Sequence, residues 1–385
     1  MKLYMKIERR GKFDMVNAFC ILFADSYKKS NDLQGLVRDR TLASLPVASR
    51  YRMVDFMLSS LVKAEVPNIA IVSNQNYKSL MDHVGWGKDW DLNRKNRGLK
   101  FITPLSNHLS TRVARNKIEA LSNTMVYADS LLEEYCILVD SNIVGNIDFK
   151  EMLKYHLATN ADITLAYTYR QPNIGESQII FDENNRVYDS LYHFNGSNEI
   201  CATQVKIYIM TKELFKEVVK KGLTLGWEDI LLDYVAKNFH QLNVYAYEIT
   251  GYSKTINTVK SYFEFNRDLL NRDKLNEVFL SGADILTRVQ DSVPTRYGEH
   301  SVVSNSLLGD GCVIKGTVKN SILFRDVVVE EGAIVKNSII MQNGIINRNV
   351  HVNYIISDKL VEISEDMELK GAENNPIIIE KGKRV

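Results

Sequence analysis

The stretch "ILFRDVVVEEGAIVKNSIIMQNGIINRNVHV" (Ile322–Val352) places an aliphatic residue at every sixth position: Ile322, Val328, Ile334, Ile340, Ile346 and Val352. Upstream, Val302, Leu308 and Ile314 keep the same interval in a register offset by two. Glycine and asparagine punctuate the run at Gly309, Gly311, Gly316, Gly332, Asn337, Asn343 and Gly344. A period of six fits neither the 3.6 of a helix nor the 2 of an ordinary strand. It suits a left-handed parallel β-helix, in which short flat strands each turn a side chain toward the axis and tight corners join them. The six aliphatic residues are therefore read as the inward row. A two-sheet β domain is the plainer alternative, and it has no use for an unbroken interval of six.

Before the repeat the pattern is different. Apolar runs of strand length ("NIAIVSN" Asn68–Asn74, "CILVDSN" Cys136–Asn142, "DITLAYTY" Asp162–Tyr169) alternate with helical stretches ("YRMVDFMLSSLVKA", "KIEALSNTMVYADSLLEEY", "FKEMLKYHLATN"). That alternation predicts a largely parallel sheet with crossover helices. "IIFDENNRVYDSLYHF" (Ile179–Phe194) reads as a hairpin turning at Glu183-Asn184-Asn185, so the sheet is expected to be mixed. The chain of 385 residues is long for one core. We place an α/β domain at residues 1–285 and the β-helix at 286–385.

Composition excludes several classes. A net charge of +1 gives no bulk attraction to nucleic acid or to an anionic membrane. No apolar run approaches the ~20 residues of a membrane span. Cys20, Cys136, Cys201 and Cys312 form no CxxC pair, so reduced thiols are expected rather than disulfides or zinc. Glu8 and Asp14 interrupt the basic N-terminal stretch, which favours a first strand over a signal peptide and makes the cytoplasm the expected location. No nucleic-acid or membrane partner is expected.

"AFCILFADSYKKSNDLQGLVRDRTLASLP" (Ala18–Pro46) begins with an apolar strand, but no glycine follows until Gly35. A nucleotide-binding α/β protein would carry a glycine-rich loop here, its backbone N–H groups wrapped around phosphates.

The segments "RYRMVDF" (Arg50–Phe56), "LSSLVKA", "HVGWGKDWDLNRKNRG" (His83–Gly98) and "GYSKTINTVKSYFEFNRDLLN" (Gly251–Asn271), followed by the repeat, resemble in kind and order the bacterial glucose-1-phosphate adenylyltransferases, or ADP-glucose pyrophosphorylases. The resemblance covers nearly the whole chain and implies a Rossmann-type nucleotidyltransferase domain ahead of the β-helix. A catalytic member transfers the adenylyl group of ATP to glucose 1-phosphate and releases pyrophosphate. That chemistry needs a phosphate loop, cations and Mg²⁺ held by carboxylates.

Position by position, this chain departs from that equipment. The family's GGxGTRL loop becomes Phe23-Ala24-Asp25-Ser26, and Leu42 stands for the lysine of R-A-K-P-A-V-P. Asp140 of "ILVDSN" remains at the end of its strand, a sensible ligand position, but Thr255 replaces the second metal-binding aspartate. G-T-A-D-A-V becomes roughly Asn116-Lys117-Ile118-Glu119-Ala120-Leu121, and the F-x-E-K-P lysine has no counterpart. Asp229 survives from G-x-D-I-I-P in "GWEDILLDYV". The losses fall on the chemistry and spare the scaffold, which resembles the family's D-type subunit.

The resemblance therefore implies a non-catalytic subunit of glycogen biosynthesis, partnered with a catalytic glucose-1-phosphate adenylyltransferase in a mixed tetramer. No catalytic residue and no metal is assigned to this chain. No cofactor is expected on it, Mg²⁺ belonging to the catalytic partner. Asp140 and Asp229 are the residual metal and nucleotide site. Arg38, Arg40, Arg50 and Arg52 are candidates for an anionic effector site, taking a sugar phosphate or a nucleotide, since guanidinium pairs well with phosphate. The seven histidines show no metal spacing and none is assigned as a ligand; His351, where a β-helix acyltransferase would use a general base, is read as structural. Two rivals stand beside this reading: a slow enzyme using Asp140 with Lys28 or Lys254, and a sensor of sugar phosphates or nucleotides acting alone.

Overall fold

The computed structural model describes residues 17–25, 33–95, 97–103, 113–280 and 284–385. Ser26, Lys28 and the segment 1–14 lie outside the described residues.

Among the described residues the first domain is built on a nine-stranded mixed sheet. Ala18–Phe23, buried along its whole length, lies at its centre between Asn68–Val72 and Tyr135–Asp140, parallel to both. Gly98–Ile102 extends the parallel side. Cys201–Thr211 runs antiparallel to Tyr135–Asp140, and beyond it lie Ile163–Arg170 and the hairpin Glu176–Phe181/Val187–His193. The expected turn is present, with Asn185 at φ 62°, a left-handed conformation that asparagine tolerates.

Local chemistry marks the helices. Met53–Lys63 starts where the Asp55 carboxylate accepts the backbone N–H of Arg52, and Asp148 caps Phe149–Ala158. The stretch read as one helix from Lys117 onward is two, Lys117–Ser122 and Met125–Asp129. The hydroxyls of Ser122 and Thr124 donate to the carbonyls of Glu119 and Leu121, an alternative to continued helix that these residues readily take.

The second domain is the left-handed β-helix, three five-stranded parallel faces running to the C-terminus. Its inward row corrects the strict count of six. Val329, Val335, Ile340, Ile346 and Val352 are interior, as is Leu323, while Val328 and Ile334 are only half-buried and Val302 is exposed. Equivalent residues on successive coils, such as Ile322, Ile339 and Ile356, stand seventeen apart, one short of three hexapeptides. The missing residue is at one corner, where Asn305, Asn320 and Asn337 take φ of 45°, 49° and 45°. Their amides form a ladder: Asn305 Nδ2 donates to Asn320 Oδ1 at 2.8 Å, Asn320 to Asn337 at 3.3 Å, and Asn337 to Asn353 at 2.9 Å. A second corner is tighter still at Gly316, where a Cβ would lie 2.4 Å from the Ala333 carbonyl oxygen. There, Ile314 pairs with Val329, fifteen residues on.

Ile322 is buried, but on the outer side of its face. With Leu307, Ile339, Ile356 and Ile378 it forms an outward apolar row that packs into the same core as Leu45, Phe56 and Phe263 of the first domain. Fully burying one such side chain contributes ~1.5–3 kcal/mol, so the row fixes the two domains against each other. At its margin Arg40 Nη2 donates to Asp358 Oδ1 and Oδ2 at 2.7 and 2.6 Å, with both side chains buried. No helix among the described residues is long and apolar enough to cross a membrane.

Candidate functional site

The C-terminal ends of the parallel strands open into a cleft of about 400 Å³. Phe23 and Asp140 are register partners at the ends of adjacent strands, so the chain leaving Phe23 and the Asp140 carboxylate share this edge. Where phosphates would be cradled stands Asp25. Its Oδ2 accepts the backbone N–H of Asn74 at 2.7 Å and the Ser73 hydroxyl at 3.0 Å. Burial raises its pKa, and these hydrogen bonds oppose the rise. The carboxyl group ties two strand ends together.

Asp140 is paired. Lys117 Nζ donates to Oδ1 at 2.5 Å and also to Oδ2, the two side chains being 12% and 13% exposed. Lys117 opens its helix, with Asn116 as the cap that accepts the Glu119 N–H, and its ammonium lies 5.0 Å from the centre of the Phe23 ring. Burial lowers the Lys117 pKa, with Asp140 acting in the opposite sense. Asp229 is paired too, accepting from Lys206 Nζ at 2.8 Å and from the backbone N–H groups of Leu231 and Leu232. Burial would raise the Asp229 carboxyl, but Lys206, Lys117 and the backbone donors outweigh it and hold the pKa well below the usual range. Lys206 is correspondingly raised, Asp229, Tyr208 and Asp140 overcoming its desolvation. The four groups form one charge-balanced network on the cleft floor.

Thr255 lines the same cleft with Asn142, Glu176 and Asn257. Asn142 Nδ2 donates to Asn257 Oδ1 at 2.7 Å, Asn257 Nδ2 to Glu176 Oε1 at 3.0 Å, and Arg170 Nη1 to Glu176 Oε2 at 2.5 Å. Among the described residues no group of three or more His, Cys, Asp or Glu side chains is arranged to hold a metal. The donor set does not fit Mg²⁺, which takes near-octahedral oxygen coordination: Asp140 is covered by an ammonium and position 255 carries a hydroxyl.

The structure brings Asp140 and Asp229 together. It divides the four arginines. Arg40 and Arg52 lie beside Lys359 of the β-helix: Arg52 Nη1 donates to the Ser79 carbonyl and hydroxyl at 2.6 and 3.0 Å. Burial, then repulsion from Arg52 and Arg40, lowers Lys359 to about 7. Arg38 is exposed and pairs with Glu380 at 2.9 Å, while exposed Arg50 lies over the Tyr51 ring at 5.7 Å. Lys254 is held by Glu264 and Asp268 at 3.0 and 3.2 Å. His351 is exposed on its β-helix strand.

Sequence reasoning missed Lys117 and Lys206 as partners of the two aspartates. Lys206 had a visible signal, a single cation inside the apolar strand "QVKIYIM". Lys117, at the head of a helix, had none.

Residues 31–189 match the nucleotidyl transferase family, and residues 291–375 match the GlmU-like C-terminal hexapeptide family. The glycogen biosynthesis protein GlgD of Bacillus subtilis (strain 168) is 36% identical over 358 residues, covering 93% of this chain and 94% of that protein. GlgD of Geobacillus stearothermophilus is 33% identical over 353 residues, covering 91% and 92%. The glucose-1-phosphate adenylyltransferase of Clostridium novyi (strain NT) is 26% identical over 312 residues, covering 79% and 80%.

Proposed function

Since this chain belongs to the GlgD family of glycogen biosynthesis proteins, relatives of the glucose-1-phosphate adenylyltransferases, we propose that it is a non-catalytic subunit that binds and modulates a catalytic glucose-1-phosphate adenylyltransferase in a mixed tetramer. The observation that supports this reading is the cleft floor: both aspartates are neutralised by lysines of the same chain, and Asp25 stands where phosphates would lie. Adenylyl transfer needs donors and cations aimed at the α-phosphate and the departing pyrophosphate. Loss of one such stabiliser typically costs ~10²–10³ in rate, and here several are absent together.

The purified chain, given ATP, glucose 1-phosphate and Mg²⁺, is therefore expected to release no pyrophosphate above the blank. Mixed with a catalytic subunit from the same organism, it should co-purify and change that subunit's kcat/KM or its response to effectors. Turnover by the chain alone would remove the non-catalytic reading, and failure to associate would remove the regulatory one.

Arg52 and Lys359 at the domain boundary are the place we assign to an anionic effector, a sugar phosphate or a nucleotide. Arg40 beside them is buried and taken up by Asp358, whereas Arg52 is held by neutral oxygens of Ser79. A lysine with a pKa of about 7 is protonated below that pH and neutral above it. Phosphate binding favours the protonated form, so affinity for fructose 1,6-bisphosphate should fall as pH rises from 6 to 8. Lys359→Gln should weaken binding and flatten the profile. Titration calorimetry at three pH values checks both; a profile unchanged by Lys359→Gln would move the effector elsewhere.

A further inference from the structure

The relatives' chemistry calls for a divalent ion at the strand end that Asp140 occupies, and the groups around Asp140 do not suit one. We infer that Lys117 is a tethered cation that holds the metal's place in this cleft and keeps divalent ions out of it. The geometry is specific: one ammonium group donates to both carboxylate oxygens of Asp140, so each already carries a bond to a cation. Asn116 fixes the start of the lysine's helix, and the Phe23 ring lies against the ammonium. Being part of the chain, the ammonium meets Asp140 with its translational entropy already spent, which a free ion must still lose. A magnesium ion would have to surrender tightly held water to displace it.

The surroundings suggest adaptation in place rather than decay. Lys206 and Asp229 complete the charge balance, so the network neither carries a stray carboxylate nor attracts a cation. Neutral oxygens remain at hand: the Ser141 hydroxyl is buried in the cleft wall with no hydrogen-bond partner among the described residues, and Asn142 Oδ1 and Thr255 face the same space. On this account the missing carboxylate at position 255 is not by itself what excludes the metal. Lys117 is, and restoring one without removing the other should fail.

The inference rests on the reading of this chain as non-catalytic, and its test does not use activity. Binding of Mn²⁺ is followed by the loss of the free-ion electron paramagnetic resonance signal for the wild-type chain, Thr255→Asp, Lys117→Ser and the double variant. The wild type and Thr255→Asp should leave Mn²⁺ free, while the double variant takes up one equivalent at least ~10-fold more tightly than Thr255→Asp, within the range that ligand-shell changes produce. Lys117→Gln, which keeps a hydrogen-bond donor without the charge, replaces Lys117→Ser if thermal melting shows that Lys117→Ser has not folded. Equal binding by Thr255→Asp and the double variant would overturn the inference, as would a double variant that binds no better than wild type. Either result leaves the regulatory role to the mixing experiment.

Discussion

Asp358→Ala should destabilise the protein by about 3–5 kcal/mol, the usual cost of stranding one member of a buried ion pair. Arg40 cannot escape by losing its proton, because guanidinium stays charged at any working pH. Among the described residues its other side-chain hydrogen-bond partner is the Met341 sulfur at 3.8 Å, a poor acceptor. The pair joins the first domain to the β-helix, so the loss should appear as a lower urea midpoint and as earlier separation of the two units. Removing Asp358 also takes away a charge that raises the Lys359 pKa, which pushes that lysine further toward its neutral form. Replacing both partners, Arg40→Met with Asp358→Leu, should return most of the stability, because apolar side chains fill the space with no charge to desolvate. A loss below 1 kcal/mol for Asp358→Ala would mean that water reaches Arg40 and that the pair does not hold the interface.

This contact shows where sequence reasoning stops. Arg40 and Asp358 stand 318 residues apart, and nothing local to either announces the other. The β-helix was legible because its signal repeats: each coil restates the same alternation, and an error in one is outvoted by the next. Its register was not, because the asparagine corner saves one residue and the count of six does not see corners. For that reason Val329 and Val335 replace Val328 and Ile334 inside. The parallel strands and the hairpin were legible from apolar runs and the Asn184-Asn185 turn. The helical pattern from Lys117 covers two helices rather than one, since periodicity alone does not register that Ser122 and Thr124 bond back to the preceding turn. At the cleft, sequence comparison located Asp140 and Asp229 and the absent loop. It could show what was lost, but not that two lysines cover the remaining carboxylates.

Those lysines carry the second large effect. Lys206→Met should cost less than the ~3–5 kcal/mol of a fully buried pair, since Lys206 and Asp229 are each about a quarter exposed. The sign of its pH dependence is more telling than its size. In the wild type the Asp229 pKa is depressed below its unfolded value, chiefly by Lys206 acting against desolvation. Its contribution is thus present above the unfolded carboxyl pKa of about 3.9 and is lost as pH falls through the folded value. Without Lys206, desolvation meets only Lys117 and the backbone donors, so the folded pKa should rise, and where it passes the unfolded one the sign reverses. The folded state then binds more protons than the unfolded state, and lowering the pH from 7 toward 4 should recover stability relative to the wild type. Adding Asp229→Asn removes the titrating group and should abolish that recovery while restoring part of the lost stability at neutral pH. Urea unfolding of the three chains at pH 4.5 and 7 distinguishes the cases. A Lys206→Met chain whose deficit is the same at both values would show that Asp229 finds another cation, Lys117 already acting on it, and that the network rearranges as a unit. The Asp140 pair would then be weakened in turn, linking this measurement to the Mn²⁺ titration, because a lysine drawn toward Asp229 leaves a carboxylate open at the strand end.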